Sequence, residues 1–102
     1  MSRKRVIDKI KSEIRKKYPN SKIILYGSRA RGDNSDLSDW DILIIIPKLN
    51  NSKDKQDIMD SLFEIELETD QIFSPIVHTK NEWKKLQITP FYKNVTQDGI
   101  IL

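Results

Sequence analysis

The most apolar stretch of the chain runs from Trp40 to Ile46 and ends at Pro47. Residues 42–46 are all Ile or Leu, so apolar and polar side chains do not alternate there. Continuous apolarity over this length is typical of a strand that is covered on both faces. The sequence therefore predicts that this segment is a central strand of the fold.

Two further strands are predicted on either side of this segment. Lys22 to Tyr26 holds a short apolar run that stops at Gly27, and Ser28 to Arg31 then favours a short helical turn. Gln71 to Val77 is a third candidate strand. It contains Pro75, which cannot donate a hydrogen bond to a neighbouring strand, so an edge position or a bulge is expected.

Helices are predicted where apolar residues recur at steps of three or four. The first helix ends before Pro19, and its apolar stripe is Val6, Ile7, Ile10, Ile14 and Tyr18. A second helix follows a polar loop, with Ile58, Met59, Leu62, Phe63 and Ile65 expected to face inward. A capping box from Thr79 to Glu82 begins a third helix. Pro90 interrupts it, one or two further turns end at Gly99, and residues 100–102 form an apolar tail.

The order of these elements indicates an α+β or α/β layered fold. The length of 102 residues predicts one domain over residues 1–102, with a small core. The chain has no Cys, which excludes disulfides and thiolate metal sites. It also lacks an apolar run long enough to cross a bilayer and a signal-peptide pattern, so we expect no membrane association and a cytoplasmic location.

Gly27 and Ser28 lie where a strand passes into a helical turn. Glycine lets a ligand approach the backbone closely, and N–H groups at the start of a helix favour an anion. A phosphate group is the natural candidate. Taken alone, the same dipeptide is more often a plain strand-to-helix turn.

Asp39 and Asp41 are separated by one residue at the start of the central strand. Because side chains alternate along a strand, both carboxylates point to one face and Trp40 points to the other. Two carboxylates this close repel each other, and a hard divalent cation such as Mg²⁺ would relieve the repulsion. An alternative is a surface junction with two solvated Asp side chains.

The two motifs together resemble a known signature. Gly27-Ser28-Arg29-Ala30-Arg31-Gly32, followed by Ser38-Asp39-Trp40-Asp41, is similar to the Gly-Ser…Asp-x-Asp pattern of the DNA polymerase beta-like nucleotidyltransferase superfamily. Small stand-alone minimal nucleotidyltransferase domains are the most similar members. The resemblance implies an α+β nucleotidyltransferase fold, with a mixed sheet of three or four strands packed with helices.

The resemblance also implies roles for individual residues. Gly27 and Ser28 would bind the triphosphate, with Arg29 and Arg31 as further candidates for nucleotide contacts. Asp39 and Asp41 would be catalytic and would ligate Mg²⁺. The implied reaction transfers AMP from ATP to a hydroxyl group, in an antitoxin-like role with a helical HEPN-type partner protein.

A third carboxylate is usual in that superfamily, and this chain departs from the pattern. The corresponding strand carries Ser74 in its middle, and Asp70 is the nearest acidic residue. Four residues along a strand span roughly 13 Å, so the two residues cannot occupy the same place. Either Asp70 is the third catalytic acid or that acid is missing. If it is missing, a catalytically weak nucleotide- or partner-binding module is the alternative function.

Partners follow from size and charge. A chain this short has no room for a domain that grips an acceptor, so a partner protein or a second copy is expected to hold it. The net charge of +3 is concentrated in the first helix. That basic face favours a third hypothesis, a nucleic-acid-binding domain. We disfavour it, because no stacking aromatics interleave the charges.

Overall fold

The computed structural model describes residues 2–102. This part of the chain folds into five helices and four strands, and the predicted α+β class is confirmed. In chain order the elements are α1 (Arg3–Lys17), β1 (Lys22–Tyr26), α2 (Ser28–Arg31), β2 (Trp40–Ile46), α3 (Asp54–Thr69), β3 (Phe73–Thr79), α4 (Lys80–Lys85), α5 (Pro90–Asp98) and β4 (Ile100–Ile101).

The four strands form one mixed sheet in the order β3-β2-β1-β4. Strand β2 is antiparallel to β1 and parallel to β3, and β4 is antiparallel to β1. Residues 42–46 of β2 are all buried, which confirms the predicted central strand. Pro75 lies in the edge strand β3, as its missing N–H requires.

Helices cover both faces of the sheet. On one face, buried side chains of α1 and α3 pack against alternate residues of the sheet in one core cluster, which includes Trp40 and Ile42. On the other face, Val95 of α5 packs against Ile24, Leu43 and Ile45. Because side chains alternate along β2, successive residues pack against the helices on opposite faces of the sheet.

The predicted helical stripes are confirmed in part. Val6, Ile10 and Ile14 of α1 are buried, and the capping box at the start of α4 is present. The prediction for α3 was wrong at two positions. Met59 and Phe63 are exposed, because the buried face of that helix is made by other residues, namely Ile58, Leu62 and Ile65.

Two strand predictions also need correction. Strand β3 begins at Phe73 and not at Gln71, because α3 continues to Thr69 and ends on Asp70 in the left-handed region at φ 56°. The expected apolar tail forms a short strand, in which Ile100 and Ile101 pair with β1. This added strand extends the sheet on the side of β1 that is remote from β3.

Candidate nucleotidyl-transfer site

The site begins at Gly27, where β1 passes into α2. Gly27 has φ 73° and ψ −157°, a backbone region that is essentially reserved for glycine. Its carbonyl oxygen accepts hydrogen bonds from the amides of Ala30 and Arg31, each at 3.1 Å. The first N–H groups of a helix have no partners within the helix, so this turn offers the amides at Ser28 to an anion.

The two carboxylates lie next to this turn. Asp41 is in β2 and is paired with Tyr26 of β1, and Asp39 immediately precedes β2. A Cβ atom at Gly27 would overlap the carboxylate of Asp41. The absence of a side chain at Gly27 thus allows the turn and the Asp41 carboxylate to lie directly against each other.

The electrostatics of the site are dominated by Asp41. Burial raises the pKa of its carboxyl, the neighbouring Asp39 charge raises that pKa further, and the Arg31 charge lowers it. Burial and the charge of Asp41 also raise the pKa of Tyr26 to about 12, so this phenol stays neutral. Tyr26 is not among the site residues predicted from the sequence, because its position opposite Asp41 follows from the pairing of β1 with β2.

Ser74, and not Asp70, lies beside the pair. In the parallel β2–β3 register Ser74 is aligned with Asp41, and its hydroxyl donates a 2.9 Å hydrogen bond to Oδ2 of Asp39. Asp70 is the residue that ends α3, before β3 begins. Among residues 2–102 no group of three His, Cys, Asp or Glu side chains could hold a metal ion together. The structure therefore does not bring Asp70 to Asp39 and Asp41 as a third carboxylate.

Arg29 is used within the fold. Its Nε and Nη2 atoms donate to the carbonyl oxygen of Ser38 at 3.0 and 2.9 Å. The guanidinium carbon also lies 4.5 Å from the centre of the Trp40 ring. Ser38 and Trp40 flank Asp39, so Arg29 fixes the backbone that carries the first carboxylate. This arrangement gives Arg29 a positioning role beside Asp39, and its predicted nucleotide contact stays a prediction.

Arg31 is the cation that remains near the carboxylates. It is exposed, and it pairs with Asp33 at 3.1 Å and with Asp98 at 3.8 Å. Its charge also acts on Asp41. A guanidinium in this place can exchange a surface pair for a phosphate oxygen, which Arg binds through its planar set of donors.

The donor set fits a magnesium–nucleotide complex. Mg²⁺ commonly uses one or two protein carboxylates and completes its octahedron with water and phosphate oxygens. Asp39 is exposed and Asp41 is half-buried, so both can face a bound ligand. A hard cation would also relieve the mutual repulsion that raises the pKa of Asp41.

The sequence matches the family model of the nucleotidyltransferase domain over residues 7–102. The chain belongs to this nucleotidyltransferase family. Enzymes of this class generally use a divalent metal ion. The Gly27–Ser28 turn and the Asp39–Asp41 pair lie inside the matched segment.

Named relatives agree with this assignment. The chain is 35% identical over 79 residues to a putative protein adenylyltransferase of Methanocaldococcus jannaschii, covering 78% of this chain and 75% of the relative. A second protein of that name from the same organism is 30% identical over 104 residues, covering 100% of this chain and 99% of the relative. The crystal structure of a putative nucleotidyltransferase from Sulfolobus solfataricus superposes with a TM-score of 0.59 and 25% identity. That superposition covers 95% of this chain and 76% of the other.

Within residues 2–102, the helices are all too short or too polar to cross a membrane.

Proposed function

We propose that this nucleotidyltransferase transfers AMP from ATP to a hydroxyl group of a partner protein in a Mg²⁺-dependent reaction. The observation that carries the proposal is the contact between Gly27 and Asp41. It joins the anion-facing turn to the carboxylate pair, because no side chain can stand between them. The two Methanocaldococcus jannaschii relatives are named as protein adenylyltransferases, which supports AMP as the group transferred and protein as the acceptor.

The chemistry assigns a task to each part of the site. The acceptor oxygen attacks the α-phosphorus, a new O–P bond forms, the bond to pyrophosphate breaks and the hydroxyl proton passes to solvent water. The turn at Gly27 and Ser28 binds the triphosphate, and Arg31 offers it a further positive charge. Asp39 and Asp41 hold the cation. When bound, Mg²⁺ supplies the charge neutralisation on phosphate oxygens that such a displacement needs.

The acceptor is supplied by another chain in this proposal. In the described residues the strands form one sheet, helices cover its two faces, and α2 is a single turn. No separate element is therefore available there to hold an acceptor. The resemblance to minimal nucleotidyltransferase domains favours a helical HEPN-type protein as acceptor and an antitoxin-like role. A second copy of the chain is the other possible acceptor. The proposal places the reaction in the cytoplasm, where ATP and Mg²⁺ are available.

A second candidate function is favoured by Ser74. A hydroxyl at this position cannot accept the proton of the attacking group in the way that a carboxylate could. It donates its own hydrogen bond to Asp39. Under this alternative the chain binds the nucleotide or the partner without appreciable turnover, and it neutralises the partner by occupying it.

The first experiment measures nucleotide binding. Titration calorimetry with ATP should show binding that is strengthened by Mg²⁺, and this dependence should be lost in the Asp39→Asn/Asp41→Asn double variant. Asp36→Asn is the matched control, because it neutralises an exposed carboxylate in the loop just before the site. Mg²⁺-strengthened binding that survives in the double variant would refute the assigned metal ligands.

The second experiment separates the two candidate functions. The protein is incubated with Mg²⁺ and ATP labelled on its α-phosphate, together with the product of the neighbouring gene as acceptor. Label on the acceptor that requires Asp39 and Asp41 supports transfer. The binding module is supported if the protein still binds nucleotide but leaves no label on the acceptor. In that case Asp39→Ala and Asp41→Ala should still neutralise the partner protein.

A further inference from the structure

Helix α3 carries a second apolar stripe that the core does not use. Met59, Phe63 and Leu67 are spaced by four residues, so they follow one line along the helix surface. Their exposed fractions are 36%, 58% and 68%, and Ile72, just beyond the helix, is 62% exposed. These four residues are called the α3 stripe below.

The α3 stripe is distinct from the buried face of the same helix. That face holds Ile58, Leu62 and Ile65, which are almost fully buried against the sheet. Exposed apolar residues that occur singly are ordinary, and Ile88 at 95% exposure is an example. Three on one line of a helix, with Ile72 just beyond its end, are different, because contiguous apolar patches on a surface mark interaction sites. The α3 stripe is therefore a candidate interaction surface.

The charges around the stripe indicate the chemistry of a partner that would cover it. Helix α3 contains six carboxylates and one lysine, although Asp54 is buried and Glu68 is paired with Lys9 of α1. Asp60 and Glu64 are exposed beside the stripe, and within residues 2–102 neither forms an ion pair. Asp70 adds a further exposed carboxylate between Leu67 and Ile72. An occupant must thus supply apolar side chains flanked by positive charges.

Two pairings with a second copy of this chain do not meet both requirements. Pairing α3 with its own copy would bring acidic margins together, and like charges across an interface are unfavourable. Helix α1 has the opposite charge, with eight basic residues, but its apolar side chains Val6, Ile10 and Ile14 are already buried in the core. It would offer charge without apolar contacts.

We propose that the α3 stripe is the docking surface for an amphipathic helix of a partner protein, whose apolar residues are flanked by Lys and Arg. The stripe ends close to the candidate site. Ile72 accepts a hydrogen bond from the amide of Trp40 at 2.9 Å, and Ser74, two residues later, contacts Asp39. A helix on the stripe would place its chain beside the Asp pair; that it then presents the acceptor hydroxyl rests on the proposed function.

The test uses a designed peptide and no nucleotide. The probe is a helical peptide of about 18 residues, long enough for five turns. Leucines are placed along one face and lysines on both flanks. Its twin replaces the lysines with glutamates. Titrated into the ¹⁵N-labelled protein, the lysine peptide should shift amide resonances of α3 and residues 70–72, with an affinity that falls as salt is added.

Variants of the protein test the apolar contacts. Phe63→Ser/Leu67→Ser should lower the affinity for the lysine peptide by about tenfold or more, as expected for loss of central apolar anchors. Both positions are exposed, so circular dichroism should show the fold intact. Ile88→Ser is the matched control, since it removes a similarly exposed apolar side chain away from the stripe, and it should leave the affinity unchanged.

Several outcomes would overturn the proposal. Equal binding of the glutamate twin would remove the charge argument, and unchanged binding by Phe63→Ser/Leu67→Ser would leave a purely electrostatic contact. Resonance shifts centred elsewhere would assign a different surface. Self-association in analytical ultracentrifugation that Phe63→Ser abolishes would assign the stripe to a second copy. The peptide titration contains no nucleotide, so its result does not depend on AMP transfer. If the peptide binds but the labelling experiment shows no transfer, only the proposed function is refuted.

Discussion

The hydroxyl of Ser74 donates a 2.9 Å hydrogen bond to Oδ2 of Asp39, from a strand position aligned with Asp41. The side chain at residue 74 thus contacts Asp39 and is aligned with Asp41 across the two strands. The position that could hold a third acid is occupied by a neutral donor. Under the proposed function, residue 74 is therefore the place where turnover can be changed without moving the turn at Gly27 and Ser28.

Ser74→Asp should raise the rate of AMP transfer. A carboxylate at this position can accept the proton of the attacking hydroxyl, and a positioned base typically contributes roughly 10²-fold or more. It should also make nucleotide binding more dependent on Mg²⁺, because a third negative charge adds to the repulsion between Asp39 and Asp41. The rate is measured by release of pyrophosphate. Ser74→Asn is the neutral control of the same shape, and equal rates for the two variants would contradict the prediction.

Gly27→Ala should lose both stability and nucleotide binding. The backbone conformation at Gly27 is unfavourable for alanine by about 1–3 kcal/mol, and the added Cβ would push the Asp41 carboxylate aside. Urea unfolding gives the loss of free energy, and calorimetry with Mg²⁺ and ATP gives the loss of affinity.

Gly32→Ala is the matched control for this prediction. Gly32 also has a positive φ, 85°, but a Cβ there would meet nothing within 4 Å. We expect a loss of about 1–2 kcal/mol from the left-handed backbone and no loss of nucleotide affinity. If the two variants lose ATP affinity equally, the contact between Gly27 and Asp41 is not what shapes the site.

The sequence predicts the features that depend on local patterns. The continuous apolar run of β2 identifies a central strand, because a strand with one wet face would alternate. The proline at residue 75 identifies an edge, because it removes one donor from the ladder. The side-chain alternation along a strand also places Asp39 and Asp41 opposite Trp40. Each of these inferences needs only the geometry of a single strand.

The features that the sequence does not predict depend on long-range pairing. Ile100 and Ile101 are too few to identify a strand, and only the free edge of β1 makes them one. The hydrogen bonds of Arg29 to the carbonyl oxygen of Ser38 depend on how the loop before β2 folds, which no local pattern predicts. Helical spacing predicts that Met59 and Phe63 belong to an apolar face of one helix. It does not tell whether that face packs into the core or is exposed for an interaction.

Arg29→Ala should weaken Mg²⁺-dependent ATP binding while keeping both proposed metal ligands, Asp39 and Asp41. It deletes two hydrogen bonds to Ser38 and the contact with Trp40, which together fix the backbone on both sides of Asp39. A loss of stability of about 1–3 kcal/mol is expected. The positioning role is shown by the Mg²⁺ concentration needed for half-maximal ATP binding, which should rise.

Two further variants support that interpretation. Arg29→Lys should restore part of the stability but little of the Mg²⁺ response, because an ammonium group cannot make the same pair of bonds or stack on the indole. Arg31→Ala should leave the stability unchanged, because the ion pairs of Arg31 are exposed. It should lower the affinity for ATP without changing the Mg²⁺ concentration that binding requires. An unchanged Mg²⁺ requirement in Arg29→Ala would exclude the positioning role.

Glu82 should make the fold sensitive to acid. The hydrogen bond from Lys55, the backbone amide of Thr79 and the charges of Lys55 and His78 lower the pKa of its carboxyl from 4.5 to about 2. Because the folded pKa is below the unfolded one, the stabilisation is fully present above pH 4.5 and is lost as the pH falls towards 2. The side chain is 42% exposed, so solvent screening reduces the stabilisation to about 1 kcal/mol.

Urea unfolding between pH 2 and pH 7 tests this expectation through Glu82→Gln, which removes the titrating group but keeps its shape. The unfolding free energies of the wild type and the variant should differ most above pH 4.5 and converge near pH 2. Glu64→Gln removes the same charge at an exposed site and provides the baseline for the change in net charge. A constant difference between wild type and Glu82→Gln across the whole range would show that the ion pair with Lys55 does not stabilise the capped start of α4.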